Sequence, residues 1–379
     1  MSRLATAAGP AALLCLAFLA SPPAHAGPGN GTLIVLNKAE ATASLIDLAS
    51  GEVAATLPTG EGPHEVAVAP NGRLAAVANY GTREAAGSTL TLISLPGAEV
   101  VRTIDLGEYR RPHGVEFLPG GRELAVTAEE QKALIIVEVE SGEVTRAIET
   151  DQQISHMVSL TPDGKRAFVA NIVSGSVTAI DLKNARRLAN IPTGEGAEGI
   201  AVTPDGKEVW VTNRGADTVT VLDAGTLELI KEIPCASFPI RAKVTPDGRH
   251  ILVSNARSGD LAVFNAATKE ELHRIPMELT AEITEGRLFG GRFGDSSVPI
   301  GILIQPDGRL AYVANANADV ISIVDLSEWK TDGYLTAGRE PDGLGYSPHV
   351  VKASARGKSD SENKADTEKG TGQERGKER

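Results

Sequence analysis

Between residues 199 and 223 apolar positions alternate with polar or small ones on both sides of Pro204-Asp205-Gly206. Alternation with a period of two is the pattern of a strand with one buried face, and a tight turn between two such runs makes a hairpin. Two further runs complete a four-stranded unit, with strands a to d at 199–203, 208–212, 218–222 and 227–233. The turn recurs as Pro70-Asn71-Gly72, Pro119-Gly120-Gly121, Pro162-Asp163-Gly164, Pro246-Asp247-Gly248 and Pro306-Asp307-Gly308, at spacings of 42 to 60 residues. A repeat of about 40 to 45 residues carrying four strands is the pattern of a propeller blade. The two long spacings mark insertions at 81–88 and 277–298.

A seventh strand a, at 341–348, has nothing strand-like after it, whereas 32–36, 43–48 and 52–57 read as strands b, c and d with no strand a before them. The chain is therefore predicted to be all-β, a seven-bladed β-propeller of four-stranded blades. Its ring is closed by the N-terminal strands b–d plus the C-terminal strand a, which leaves no free sheet edge.

The two ends read differently. Arg3, the apolar run 11–20 and Ala24-His25-Ala26 form the pattern of a signal peptide over 1–26. The run is shorter than the roughly 20 residues a membrane span needs. The propeller occupies 27–351, and 352–379, charged and almost free of apolar residues, is expected to be a disordered tail. A periplasmic or secreted protein, monomeric and without a membrane span, is the expectation. Only Cys235 follows the signal segment, so no internal disulfide can form. A net charge of −12 argues against nucleic acid as a partner.

The motif Val-x-Asn closes strand b at Val77-Ala78-Asn79, Val169-Ala170-Asn171, Val211-Thr212-Asn213, Val253-Ser254-Asn255 and Val313-Ala314-Asn315, and strand c reads Val-Thr-Val-Leu-Asp or Ile-Ser-Ile-Val-Asp. In these motifs the chain resembles the YVTN-repeat (YncE-like) propellers over nearly its whole length after the signal segment. That family is similar in turn to the haem-bearing propeller of the cytochrome nitrite reductases and, more distantly, to lactonase-type propellers. Cys-x-x-Cys-His is absent, so no covalent haem is expected.

Hairpin geometry places the residue six before each turn proline at the upper mouth of the central channel. The seven occupants are His64, His113, His156, Glu198, Ile240, Ile300 and Asp342. Asp342, the three histidines and Glu198 form an unbroken arc. Imidazoles with a carboxylate suit zinc, copper or iron, so His64, His113 and His156 are the candidate metal ligands. Inheritance of one local turn by neighbouring repeats explains the same column without a ligand. Arg287 and Arg292 in the Gly- and Phe-rich part of the longer insertion, with Arg241, Glu198 and Asp342, are the candidate ligand-binding residues. Glu129 and Glu130 stand where the Asn series breaks and could add a carboxylate. The Asn column itself reads as turn chemistry.

No nucleophile elbow, phosphate loop or paired-carboxylate spacing is present. Three readings stay open: a propeller that binds a small ligand or metal, and a partner protein, at the upper mouth; a metal-dependent enzyme of lactonase or lyase type; and a non-covalent haem propeller.

Overall fold

The computed structural model describes residues 29–235, 237–277 and 286–352; the predicted signal segment and tail lie outside them. Seven four-stranded antiparallel sheets form a ring. Their inner strands are Pro341–Ser347 in blade I, Pro63–Val68 in II, Pro112–Phe117 in III, Ser155–Leu160 in IV, Ala197–Val202 in V, Pro239–Val244 in VI and Pro299–Ile304 in VII. Blade I joins the two ends of the described chain. Its inner strand pairs with Thr32–Asn37 in the register Thr32↔Ser347, Leu33↔Tyr346 and Ile34↔Gly345. Among the described residues no helix is long and apolar enough to cross a membrane.

The second and third strands of each blade are buried on both faces, because each sheet packs against two neighbours. Leu90, Leu92 and Ile104 of blade II meet Leu124, Val126 and Ile135 of blade III. Trp210 of blade V lies 6.4 Å from Phe264 of blade VI, ring centre to ring centre. The middle strands alternate in residue type but not in exposure, since Thr220 of Thr218–Asp223 is as buried as its apolar neighbours.

Two local expectations are corrected. Six of the seven inner strands begin earlier than the alternation suggested, so their mouth residues lie inside the strand and not before it; in blade V the strand is Ala197–Val202 against an expected 199–203, whereas in blade I it starts at Pro341 as expected. The shorter insertion is largely strand, since Leu74–Gly81 and Ala86–Ser94 extend the hairpin and leave a tight turn at 82–85. The Asn column is structural, but its partners lie beyond its own turn. Asn79 Nδ2 donates to Thr89 Oγ1 at 2.9 Å and Thr91 Oγ1 at 3.0 Å on the next strand, and its Oδ1 accepts the Gly60 N–H. Asn213 and Asn37 repeat the two donations, to Thr218 and Thr220 and to Thr42 and Ser44, and Asn37 Oδ1 likewise accepts a backbone N–H, from Gly338.

Around the axis the third position of the inner strand is glycine in blades I, III, V and VII: Gly343, Gly114, Gly199 and Gly301. A Cβ on Gly199 would lie 2.7 Å from Arg241 Cα, and one on Gly343 would collide with the His64 carbonyl. Only a residue without a side chain lets adjacent inner strands approach so closely. Gly343→Ala should therefore cost about 1–3 kcal/mol, the usual range for overpacking. Gly333→Ala, whose Cβ would meet only Ile323 Cδ1 at 3.8 Å, is the control expected to change little. Urea unfolding of the two variants checks the difference.

Candidate functional site

Each inner strand is irregular at one place. In blade II, Pro63 pairs with Asn79 and Glu65 with Ala78, which leaves His64 unpaired in a bulge. The same skip passes over His156 and Ile240, and, with the glycine that follows, over His113, Glu198, Ile300 and Asp342. A bulge releases one residue from the ladder and re-aims its side chain. Here it turns all seven toward the axis. Thr127 secures one such bulge by accepting the Gly114 N–H at 2.8 Å and donating to the His156 carbonyl at 2.6 Å, which also ties blade III to blade IV.

The histidines come together as expected. The His64 and His113 ring centres are 5.0 Å apart, and those of His113 and His156 are 3.5 Å apart with 32° between planes. Tyr80 packs on His64 at 4.7 Å, and the Arg111 guanidinium lies over the Tyr80 ring at 4.8 Å from its centre. His156 is held at both nitrogens, Nδ1 at 2.5 Å from Glu129 Oε1 and Nε2 at 3.4 Å from Glu198 Oε1. Tyr80 Oη donates to Glu129 Oε2 at 2.6 Å. Glu198 in turn pairs with Arg214 and, at 3.1 Å, with Arg241 Nη1. Arg241 reaches across the channel to Glu65, with Nη2 2.8 Å and Nε 3.0 Å from Oε1. On the far side Lys38 Nζ lies 3.0 Å from Asp342 Oδ2.

Burial sets the protonation states. It pulls His64 down to about 3, helped by the Lys38 charge, and pulls His113 well below the usual imidazole range, with His156 adding to the effect. His64 Nδ1 lies 2.7 Å from the Gly62 carbonyl, so that nitrogen carries the proton and Nε2 is left as an acceptor. For His156 burial acts downward too, but the bonds to Glu129 and Glu198 outweigh it and raise its pKa. Burial would raise Glu198, yet Arg214, His156 and Arg241 bring it down to about 2. Two polar atoms of the arc have no partner in the protein although fully buried: His113 Nδ1 and Asp342 Oδ1.

The rest of the mouth is apolar. Ile240 and Ile300 pack with Ala256, Ala316, Phe238, Val298 and Phe293. The described part of the longer insertion lies on this half, with a short 3-10 turn at Gly290–Phe293. Phe293 is 4.8 Å from Phe238 and 4.9 Å from Phe289, ring centre to ring centre. The insertion therefore anchors through its phenylalanines. Of its arginines, Arg287 is paired with Asp319 at 2.5 Å, and Arg292 is exposed over Phe238 and Phe293. Arg241 is bound by Glu65 and Glu198.

Lys38 and Glu65 belong to the site and were not read from the sequence. A signal for Lys38 existed. The residue after the Asn column, or after Ala128 in blade III, forms a second column of Lys38, Tyr80, Glu129, Ile172, Arg214, Ala256 and Ala316, which matches the first in being polar in blades I, II, III and V and apolar in VI and VII. Glu65 occupies the third inner-strand position, where glycine prevails. Among the described residues no group of three His, Cys, Asp or Glu is set to hold a metal ion.

The family described as "Lactonase, 7-bladed beta-propeller" matches residues 29–285. No curated protein matches the chain. Among solved structures, hydrazine synthase from Kuenenia stuttgartiensis is similar at 16% identity and a TM-score of 0.63, covering 74% of this chain and 88% of its own. A functionally unknown protein from Desulfotomaculum acetoxidans is similar at 15% identity and a TM-score of 0.67, covering 85% of this chain and 100% of its own. At such identities the likeness shows the fold.

Removing the Arg241 side chain leaves Glu65 and Glu198 without their shared cation. Arg241→Ala should cost about 3–5 kcal/mol, the range for a broken buried pair, measured by chemical denaturation near neutral pH. Because the folded pKa of Glu198 lies below its ordinary value, its contribution is fully present above about pH 4.5 and is lost as pH falls toward 2. The variant should flatten that acid limb of the stability profile.

Proposed function

The chain belongs to the lactonase family of seven-bladed β-propellers, and we propose that it binds a small hydroxyl-rich ligand on the polar half of the upper mouth. The observation that carries this reading is the pair of partnerless buried atoms, His113 Nδ1 and Asp342 Oδ1, in one arc. A buried polar group without a partner costs about 1–3 kcal/mol, so two of them at the same mouth favour an occupant that brings hydrogen-bond donors. Asp342 accepts only. His113, kept neutral, can donate or accept according to tautomer. A polyol or a hydroxylated ring ester of the lactone class meets both demands. The insertion, seated on Ile240 and Ile300, walls off the apolar half and leaves the ligand to the arc.

Turnover of such an ester is the second reading, supported by family membership and by the free imidazole nitrogen of His113. Water addition to the ring carbonyl would need a base, and burial makes His113 a weak one. Lys38 and Arg241 would supply positive charge for the carbonyl oxygen. Binding is the stronger reading for that reason.

A divalent transition metal on His64, His113 and His156 is the competing occupant. Neutral imidazoles are the form a metal takes, which favours His64 and His113. His156 would have to give up one of its two carboxylate partners. Metal analysis of the purified protein, beside His64→Ala, separates the two occupants.

The Val-x-Asn repeats support a place among the YVTN-repeat propellers, and Arg3, the apolar run and Ala24-His25-Ala26 support export to the periplasm or beyond. Calorimetric titration with δ-lactones of sugars and their open hydroxy acids tests the ligand class. A member of the panel should bind, and Asp342→Asn or His113→Ala should each weaken it at least tenfold, the equivalent of about 1.4 kcal/mol. Affinity unchanged in both variants would remove the arc from the site.

A further inference from the structure

The channel holds two levels of charge, and they differ. At the third inner-strand position the only long polar side chains are Glu65 of blade II and Arg241 of blade VI, which meet across the axis at 2.8 Å and bar the channel. Two residues further down, the fifth position reads Gly345, Ala67, Glu116, Ser159, Ala201, Lys243 and Leu303 from blade I to blade VII. Again there is one acid and one base, Glu116 on blade III and Lys243 on blade VI, on opposite walls. Here they do not meet. Among the described residues no acid lies within ion-pair distance of Lys243, which is exposed to the channel, while Glu116 is half-buried and fixed by the Leu160 N–H at 2.9 Å from its Oε2. Between them is a cavity of about 410 Å³ that also has the paired Glu65 and Arg241 of the bar in its lining, with Val68, Phe117, Leu303, Ile304 and Tyr346 among its apolar lining residues.

A chamber of that size, with apolar side chains beside a few charged ones of which only Glu116 and Lys243 lack an opposite charge in contact, has the form of a small-molecule site. Two opposite charges held apart on facing walls select a molecule that carries the complementary pair. A carboxylate answers Lys243 and an ammonium answers Glu116, with the apolar wall taking a hydrocarbon body. Burial pushes the Glu116 carboxyl up to about 7, against the lowering pull of Lys243, and an ammonium placed beside it would favour the ionised form. We propose that the channel below the Arg241–Glu65 bar is a second binding site, for a small zwitterion of the amino-acid class with an apolar side chain. It is separate from the upper mouth, because the bar lies between them, and it does not depend on what the mouth binds.

The test is calorimetric titration of the full chain with L-leucine, isovalerate, which lacks the ammonium, and isopentylamine, which lacks the carboxylate. Leucine should bind saturably and at least tenfold more tightly than either single-pole probe. Lys243→Met and Glu116→Gln should each weaken leucine at least tenfold, and His113→Ala, above the bar, should leave it unchanged. Melting curves confirm that the variants fold, and Lys243→Gln replaces the methionine variant if that one does not. No binding of leucine, or an affinity unaffected by loss of Lys243 or of Glu116, overturns the proposal. Equal binding of isovalerate and leucine overturns it as well, because the acid pole would then select nothing.

Discussion

Arg241 is the buried cation on which the centre of the ring depends. The residue is 5% exposed, and its guanidinium gives hydrogen bonds to Glu65 on the opposite wall and to Glu198 on the neighbouring blade. Taking such a charge out of water costs several kcal/mol, and only well-placed opposite charges offset it. Those two carboxylates do so, and the consequences run outward from them. Glu198, fixed by Arg241 and Arg214, holds one nitrogen of His156; Glu129 holds the other and also takes the Tyr80 hydroxyl. Five of the seven blades are thereby cross-tied at the axis. The same contact bars the channel, which leaves an upper mouth and a lower chamber with different chemistry.

Backbone geometry makes that contact available. A bulge at the second inner-strand position aims seven side chains at the axis, and glycines at the third position let neighbouring strands close in. Identical hairpins would then give a symmetric mouth. The chain breaks the symmetry with two columns that are polar together in blades I, II, III and V and apolar together in VI and VII. The apolar part is covered by the insertion through Phe289 and Phe293. What is left is an arc of mixed charge with a histidine stack at its middle, in which His64 and His113 stay neutral and His156 sits between two carboxylates.

The spacing of the Pro-Asp-Gly turns and the unmatched strands at the two ends made the seven-bladed ring legible in the sequence, because a turn residue and a period of two are local signals. The mouth column was legible for the same reason, since position within a repeat fixes position around the axis. Contacts between different repeats were not. Nothing in the linear text pairs Glu65 with Arg241, which are 176 residues apart, and Glu129 looks like half of a solvated Glu-Glu pair until Tyr80 and His156 are brought to it. Arg287 misleads in the opposite direction. A loop arginine over a pore reads as a ligand contact, yet Asp319 engages it. The Asn column was read correctly as structural, but its partners on the adjacent strand depend on blade register, which no single hairpin reveals.

On the reading proposed above, the arc over the Arg241–Glu65 contact holds a hydroxyl-rich ligand at His113 Nδ1 and Asp342 Oδ1, the two buried atoms of the arc left without partners in the protein. A crystal structure grown with a saturating sugar acid tests it most directly. Electron density is expected on the upper side of that contact, with ligand oxygens within hydrogen-bonding distance of His113 Nδ1 and Asp342 Oδ1. A well-ordered structure in which the ligand lies only on the outer surface, with both atoms bonded to water alone, would contradict it.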